Sequence, residues 1–157
     1  MMRNLEERFL RPAATRIQEN NMTQQHPLSR TELLVGGDAL KTLRTKTIAV
    51  LGIGGVGGYA VEALARCGVG GLLLADDDTV CLTNINRQLH AMPDTVGRRK
   101  VDVMAARVHA IDPAITIDTR HVCVTPENIP ELLGAGIDYV IDALDTVSAK
   151  IAIAVYC

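Results

Sequence analysis

The chain has 157 residues, 48% of them hydrophobic, with a net charge of −2 and a pI near 6.1. That length supports one packed core and is short for two, and the near-neutral charge excludes a globally basic nucleic-acid-binding surface, leaving only local patches. The longest apolar stretches are strand-length, well short of the roughly 20 residues that cross a bilayer, and the amino end has no apolar secretory core. A soluble, cytoplasmic protein with no membrane segment is expected.

Residues 1–29 form a lead-in rich in Gln, Asn, Arg and Glu, read as a frayed helix or disordered segment. Within it "LEERFLR" makes two helical turns before Pro12 stops them, and Met22 is a second candidate start. From residue 30 to 157 the pattern is that of one α/β domain. "TELLVGGDALKTL" reads as two short helices broken at Gly36 and Gly37, with Leu33, Leu34, Leu40 and Leu43 available to pack. "TIAVLGI" is a buried strand, and "VGGYAVEALARCG" a helix with Val61, Leu64 and Ala65 inward and Gly68 near its end. "GLLLAD" is a second strand. "VGRRKVDVMAARVHAID" places Val101, Met104, Val108 and Ile111 at helical spacing, and "AITIDTRHV" alternates as a third strand. "TPENIPELLG" carries a Thr cap and an early Glu, the start of a short helix. "DYVIDAL" is a fourth strand, apolar on both faces, and "TVSAKIAIAVYC" begins a helix. Alternating strands and helices imply a Rossmann-like parallel sheet with helices on both faces, ordered 3-2-1-4. Cys67, Cys81, Cys123 and Cys157 form no Cys-x-x-Cys pair, which removes the zinc clamp, and they are read as structural thiols.

The chemistry is concentrated at the strand ends. "GIGGVGG" satisfies Gly-x-Gly-x-x-Gly at Gly52, Gly54 and Gly57, with Gly55 in addition. Such a turn between strand and helix lets the backbone approach a phosphate and aims free N–H groups at it. Asp76 ends the second strand 19 residues after Gly57, where a carboxylate can accept from a ribose hydroxyl. To this point NAD and ATP are served equally, and a ligand-free turn remains an alternative. The following loop, "DDDTVCLTNINRQLH", is dense in groups a dinucleotide does not need: Asn84, Arg87 and Gln88, with Lys100 opening the next helix. Arg87 and Lys100 can neutralise outer phosphates, or they are ordinary surface charges. Asp145, past the fourth strand, can hold Mg²⁺ or serve as a helix cap.

In order and spacing, "GIGGVGG", "LLLADDDTVCLTNINRQ", "VGRRKVDVMAARVHAIDP" and "YVIDALDT" resemble the ThiF/MoeB/HesA adenylating family related to ubiquitin-activating enzymes. "EALARCGVG", "NINRQLHA", "HVCVTPENI" and "YVIDALDTVSAK" look most like its tRNA threonylcarbamoyladenosine dehydratase branch. The resemblance implies that residues 52–57 take ATP phosphates and Asp76 the ribose. It also puts Asn84, Arg87, Gln88 and Lys100 on the triphosphate, with Asp145 on Mg²⁺, and makes Arg87, Lys100 and Asp145 the catalytic set. It implies adenylation of a substrate carboxylate, with tRNA carrying threonylcarbamoyladenosine as partner, or alternatively a ubiquitin-like sulfur carrier. A homodimer is implied as well, in which Arg30 reaches the neighbouring subunit's phosphates. An NAD-dependent oxidoreductase fragment is the competing reading, and it gives Arg87 and Lys100 no role. Asp77 stands where the family has a hydrophobic residue and is given none. The resemblance also implies a longer enzyme, so the fold is expected to be truncated after the fourth strand, with an open strand edge, weak MgATP binding and no turnover.

Overall fold

The computed structural model describes residues 25–134 and 136–157. Most of the expected lead-in, including the "LEERFLR" helix and Met22, lies outside the described residues. Two short helices come first, α1 (Ser29–Val35) and α2 (Gly37–Arg44). Gly36 separates them at φ 87°, a left-handed value that glycine adopts without strain. Of the leucines expected to pack here, Leu40 is buried and Leu43 half-buried, whereas Leu33 and Leu34 are exposed. Leu28 is the residue that anchors this end: its Cδ1 fills the space where a Cβ on Gly68 would sit.

The sheet is β1 (Thr47–Leu51), β2 (Gly71–Ala75), β3 (Thr116–Arg120) and β4 (Tyr139–Asp142), all parallel in the order β3-β2-β1-β4. The helices that complete the crossovers are α3 (Gly57–Cys67), α4 (Lys100–Ile111), the short α5 (Ile129–Leu132) and α6 (Val147–Tyr156). Strand side chains alternate between faces, so two cores form. Ile48, Val50, Leu72 and Leu74 pack on one face with Val61 and Ala65 of α3 and Val101, Met104 and Val108 of α4. Ala49, Leu51, Leu73 and Ala75 pack on the other with Ile129 and Leu132 of α5 and Ile153 of α6. Apolar residues on both faces of β1 and β2 are what a two-sided parallel sheet requires.

Two local expectations are corrected, the Thr cap and the structural thiols. Thr125 does not cap the short helix: Asn128 precedes it, and Asn128 Oδ1 accepts the Thr125 N–H at 2.9 Å, so the Thr-Pro stretch closes as a turn before α5 begins. β4 is half-buried, with Tyr139 exposed, and β1 is its only partner strand among the described residues. The four cysteines are free and exposed, which removes the structural-thiol reading. No described helix is long and apolar enough to cross a membrane.

Candidate nucleotide-binding site

Ligands of open α/β sheets bind beyond the carboxyl ends of the strands, and here that edge is built around the glycine turn. Gly52 follows β1 at φ 88°, and a Cβ there would lie 2.7 Å from the Ala143 carbonyl oxygen. A Cβ on Gly57 would overlap the Gly52 carbonyl, so only glycine lets α3 start this close to β1. Gly52 N–H donates to Ala75 O at 2.8 Å, and the next bond inside the turn is Gly58 N–H to Gly54 O at 3.0 Å. Among the described residues the N–H groups of Gly54, Gly55, Val56 and Gly57 donate to no backbone acceptor. Four free donors at the positive end of a helix form an anion seat.

Asp76 has a framework position. It is buried; its Oδ2 accepts the Ile53 N–H at 2.6 Å and its Oδ1 the Asp78 N–H at 2.8 Å, which ties the glycine turn to the end of β2. Lys100, 4% exposed, points its ammonium between Asp76 Oδ1, at 3.6 Å, and Asp78 Oδ2, to which it hydrogen-bonds. A buried ammonium needs such partners. Carboxylate oxygens of Asp76, Asp77 and Asp78 lie within 4.8 Å of one another, but Lys100 already supplies the cation to two of them. Asp78, which the sequence reading passed over, is the exposed member of the Lys100 pair and so faces the solvent side of the edge. The signal available for it was its i+2 spacing from Asp76.

The loop between β2 and α4 supplies the polar wall. Asn84 is buried, and its Oδ1 accepts the Cys81 N–H at 2.9 Å, fixing a single 3₁₀ turn over Leu82–Asn84. Arg87 is exposed and prearranged: its Nη1 donates to Thr83 O at 2.9 Å and Asn86 Oδ1 at 3.0 Å. It borders the glycine turn, since a Cβ on Gly55 would stand 3.4 Å from Arg87 O and 3.8 Å from its Cγ. Gln88 is buried with Oε1 unpaired, and its Nε2 is 4.0 Å from where a Gly54 Cβ would lie. His90, absent from the sequence reading, is 1% exposed, and neither ring nitrogen has a partner. It packs under the first turn of α3, with Nδ1 3.2 Å from the Cβ position of Gly58. Burial pushes its pKa below the ordinary histidine value, and the Lys100 charge adds to this while Asp76 opposes it. The ring is therefore held neutral beneath the anion seat.

At the far end of the same edge, Asp145 is exposed, and among the described residues its only hydrogen-bonding neighbour is Thr146 Oγ1 at 3.5 Å. It makes no cap bond to α6, whose N-cap position is Thr146. Its free carboxylate fits a hard cation shared with phosphates, a set in which one protein carboxylate suffices. Arg30 is exposed on α1. Cys123 faces Asp77, whose carboxylate pushes the thiol above its ordinary value, with burial and Asp78 acting in the same direction. Glycine turn, Asp76, Asn84, Arg87, Gln88 and Lys100 thus come together, and Asp145 stands across the edge from them.

A tRNA threonylcarbamoyladenosine dehydratase of Bacillus subtilis (strain 168) is 49% identical over 132 residues, covering 84% of this chain and 52% of that protein. The crystal structure of the E. coli enzyme of that name, TcdA, in complex with ATP superposes with a TM-score of 0.82 at 45% identity, covering 83% of this chain and 54% of the other. A ubiquitin-like modifier-activating enzyme 5 of Bombyx mori is 39% identical over 125 residues, covering 73% of this chain and 32% of that protein. The chain spans about half the length of the dehydratases it matches. The ThiF family model matches residues 28–157, and the chain belongs to the ThiF family.

Proposed function

We propose that the chain carries the ATP-binding part of an adenylating enzyme acting on threonylcarbamoyladenosine in tRNA. The observation that supports this most is the row of free N–H groups at residues 54–57 with the prearranged Arg87 beside it. A triphosphate uses both; a dinucleotide leaves Arg87 idle. Asp78, with Asp76 already committed to the backbone, takes the ribose hydroxyls. Lys100 turns from Asp78 toward the outer phosphates when the nucleotide arrives, and Asn84 and Gln88 line the phosphate path. Mg²⁺, held by Asp145, would offset phosphate charge. In a homodimer Arg30 reaches the neighbouring site.

In the reaction a carboxylate oxygen of the threonylcarbamoyl group attacks the α-phosphorus. The bond to the β-phosphate oxygen breaks and pyrophosphate leaves with the electron pair. An atom of the modified base then attacks the acyl carbon, and AMP departs carrying the former carboxylate oxygen, so the base loses one water overall. The chain's part is to hold the phosphates in line and stabilise the charge that grows on the leaving pyrophosphate. Calorimetric titration should give tighter binding of MgATP than of NAD; the reverse order overturns the adenylating reading. The likeness to a ubiquitin-like modifier-activating enzyme favours a second substrate, the C-terminal carboxylate of a ubiquitin-like sulfur carrier. Pyrophosphate exchange stimulated by such a carrier and not by modified tRNA would select it.

A further inference from the structure

Among the described residues every lysine has a carboxylate partner: Lys41 with Asp38, Lys46 with Asp138, Lys100 with Asp76 and Asp78, and Lys150 with Asp142. Arg44, Arg66, Arg107 and Arg120 are paired in the same way, with Asp112, Glu62, Glu62 and Asp118. Arg98 and Arg99, like Arg30 and Arg87, are not, although Asp94 lies four residues before Arg98 and Asp102 three after Arg99. Both arginines are exposed, and their backbone is held firmly. Arg98 O accepts the Val80 N–H at 2.8 Å, Gly97 N–H donates to Val80 O at 2.8 Å, Arg99 bridges Thr79, and Lys100 N–H donates to Asp78 O at 3.1 Å. Residues 97–100 are thereby fastened alongside residues 78–80, the segment that leaves β2 at the candidate nucleotide site.

We propose that Arg98 and Arg99 form a docking element for the phosphodiester backbone of RNA, outside the ATP site and next to it. On a chain of net charge −2, two adjacent unpaired guanidiniums on a fixed backbone are a local positive spot rather than part of a general field. Guanidinium binds phosphate through two parallel hydrogen bonds. A position one residue from Lys100 puts such a contact where a tRNA must lie if one of its bases is to reach the α-phosphate. The chain's leading substrate reading supplies the polyanion, and the inference rests on that reading.

The test measures binding of a tRNA transcript by the whole 157-residue chain at several salt concentrations, with MgATP titrated in parallel. Arg98→Ala/Arg99→Ala should weaken tRNA binding and flatten the plot of log affinity against log salt by about 1.4–1.8, the release expected for two phosphate contacts. MgATP affinity should change less than about twofold, and Arg98→Lys/Arg99→Lys, which keeps both charges, should retain the wild-type slope. Wild-type tRNA binding with an unaltered slope in the alanine variant overturns the docking element alone. Failure of the wild-type chain to bind tRNA while it still binds MgATP overturns the tRNA reading and the docking element together.

Discussion

The two acidic ends of the sheet's carboxyl edge repeat one device at different depths. After β2, Asp76 locks the strand end and pairs with Lys100 at the head of α4; at the end of β4, Asp142 accepts the Leu144 N–H at 3.1 Å and pairs with Lys150 of α6 at 2.9 Å. The first pair is 8% and 6% exposed, the second 25% and 43%. At each end a further, more exposed aspartate stands outward, Asp78, which also pairs with Lys100, at one and Asp145 at the other. The strand-end aspartate shapes the edge, and the outer one carries the more exposed carboxylate. Burial decides how much the first job is worth: β2 has a strand on each side, whereas β4 has only β1 among the described residues.

The largest expected effect breaks the buried lock. Asp76→Ala removes the acceptor of two backbone N–H groups and leaves Lys100 with Asp78 alone, so urea unfolding should show a loss of about 3–5 kcal/mol. Asp142→Ala, at the half-exposed lock, should cost at most about 1 kcal/mol. Equal losses would mean that burial does not distinguish the two ends. Next in size is Arg87→Ala. Because Arg87 borders the glycine turn at Gly55 and is not part of either lock, ATP affinity should fall about 10–100-fold, the range for a lost charge-assisted hydrogen bond. AMP affinity should move far less. Parallel losses for the two nucleotides would place Arg87 away from the outer phosphates.

Much of this was legible in the sequence. The continuous apolar runs at residues 47–51 and 71–75 and the helical spacing of Val101, Met104 and Val108 are direct prints of burial, and the alternation of strands with helices points to a parallel sheet with right-handed crossovers. Gly52 and Gly57 were legible because a tight turn and a close helix demand them. The two backbone hydrogen bonds that Asp76 accepts were not, since hydrogen bonds to backbone N–H groups leave no compositional trace. His90 was hidden for a related reason: residues 85–99 are a run of turns without period, and the burial of the ring, which packs against Gly58, comes from tertiary structure. The exposure of Leu33 and Leu34 likewise depends on what lies beside α1, which local pattern does not encode.

His90 gives a third way to probe the buried end, through pH. Its pKa is lowered in the folded chain, by burial first and by Lys100 second, against an ordinary value of 6.5. Above that pH the ring is neutral both folded and unfolded. As pH falls through 6.5 the unfolded chain takes up the proton first, so stability is lost progressively on acidification. Glu62, Asp112 and Asp138 are also lowered: guanidiniums and hydrogen bonds outweigh burial at Glu62 and Asp112, and Lys46 holds Asp138 down. Their losses begin only near the carboxylate range, so a comparison of pH 7.5 with pH 5.5 separates His90 from them. The unfolding midpoint of the wild type should drop between these pH values, and that of His90→Gln should drop less. An identical drop in both would show that the ring is protonated as readily folded as unfolded.

The smallest structural effect belongs to the exposed end. Asp145 has no hydrogen bond that holds the fold beyond the long contact with Thr146, so Asp145→Asn should leave the unfolding midpoint where it was. Its consequence should surface only with nucleotide and metal together, because a carboxylamide keeps the shape of the side chain and loses the charge a hard cation requires. Wild-type ATP affinity should rise on adding Mg²⁺ to protein stripped with EDTA, and the variant should gain much less. With EDTA present the two should bind ATP alike, since the glycine turn and Arg87 are untouched. A variant that loses as much affinity without Mg²⁺ as with it would put Asp145 against the nucleotide itself, and the outer aspartate at this end would then share the role assigned to Asp78 at the other.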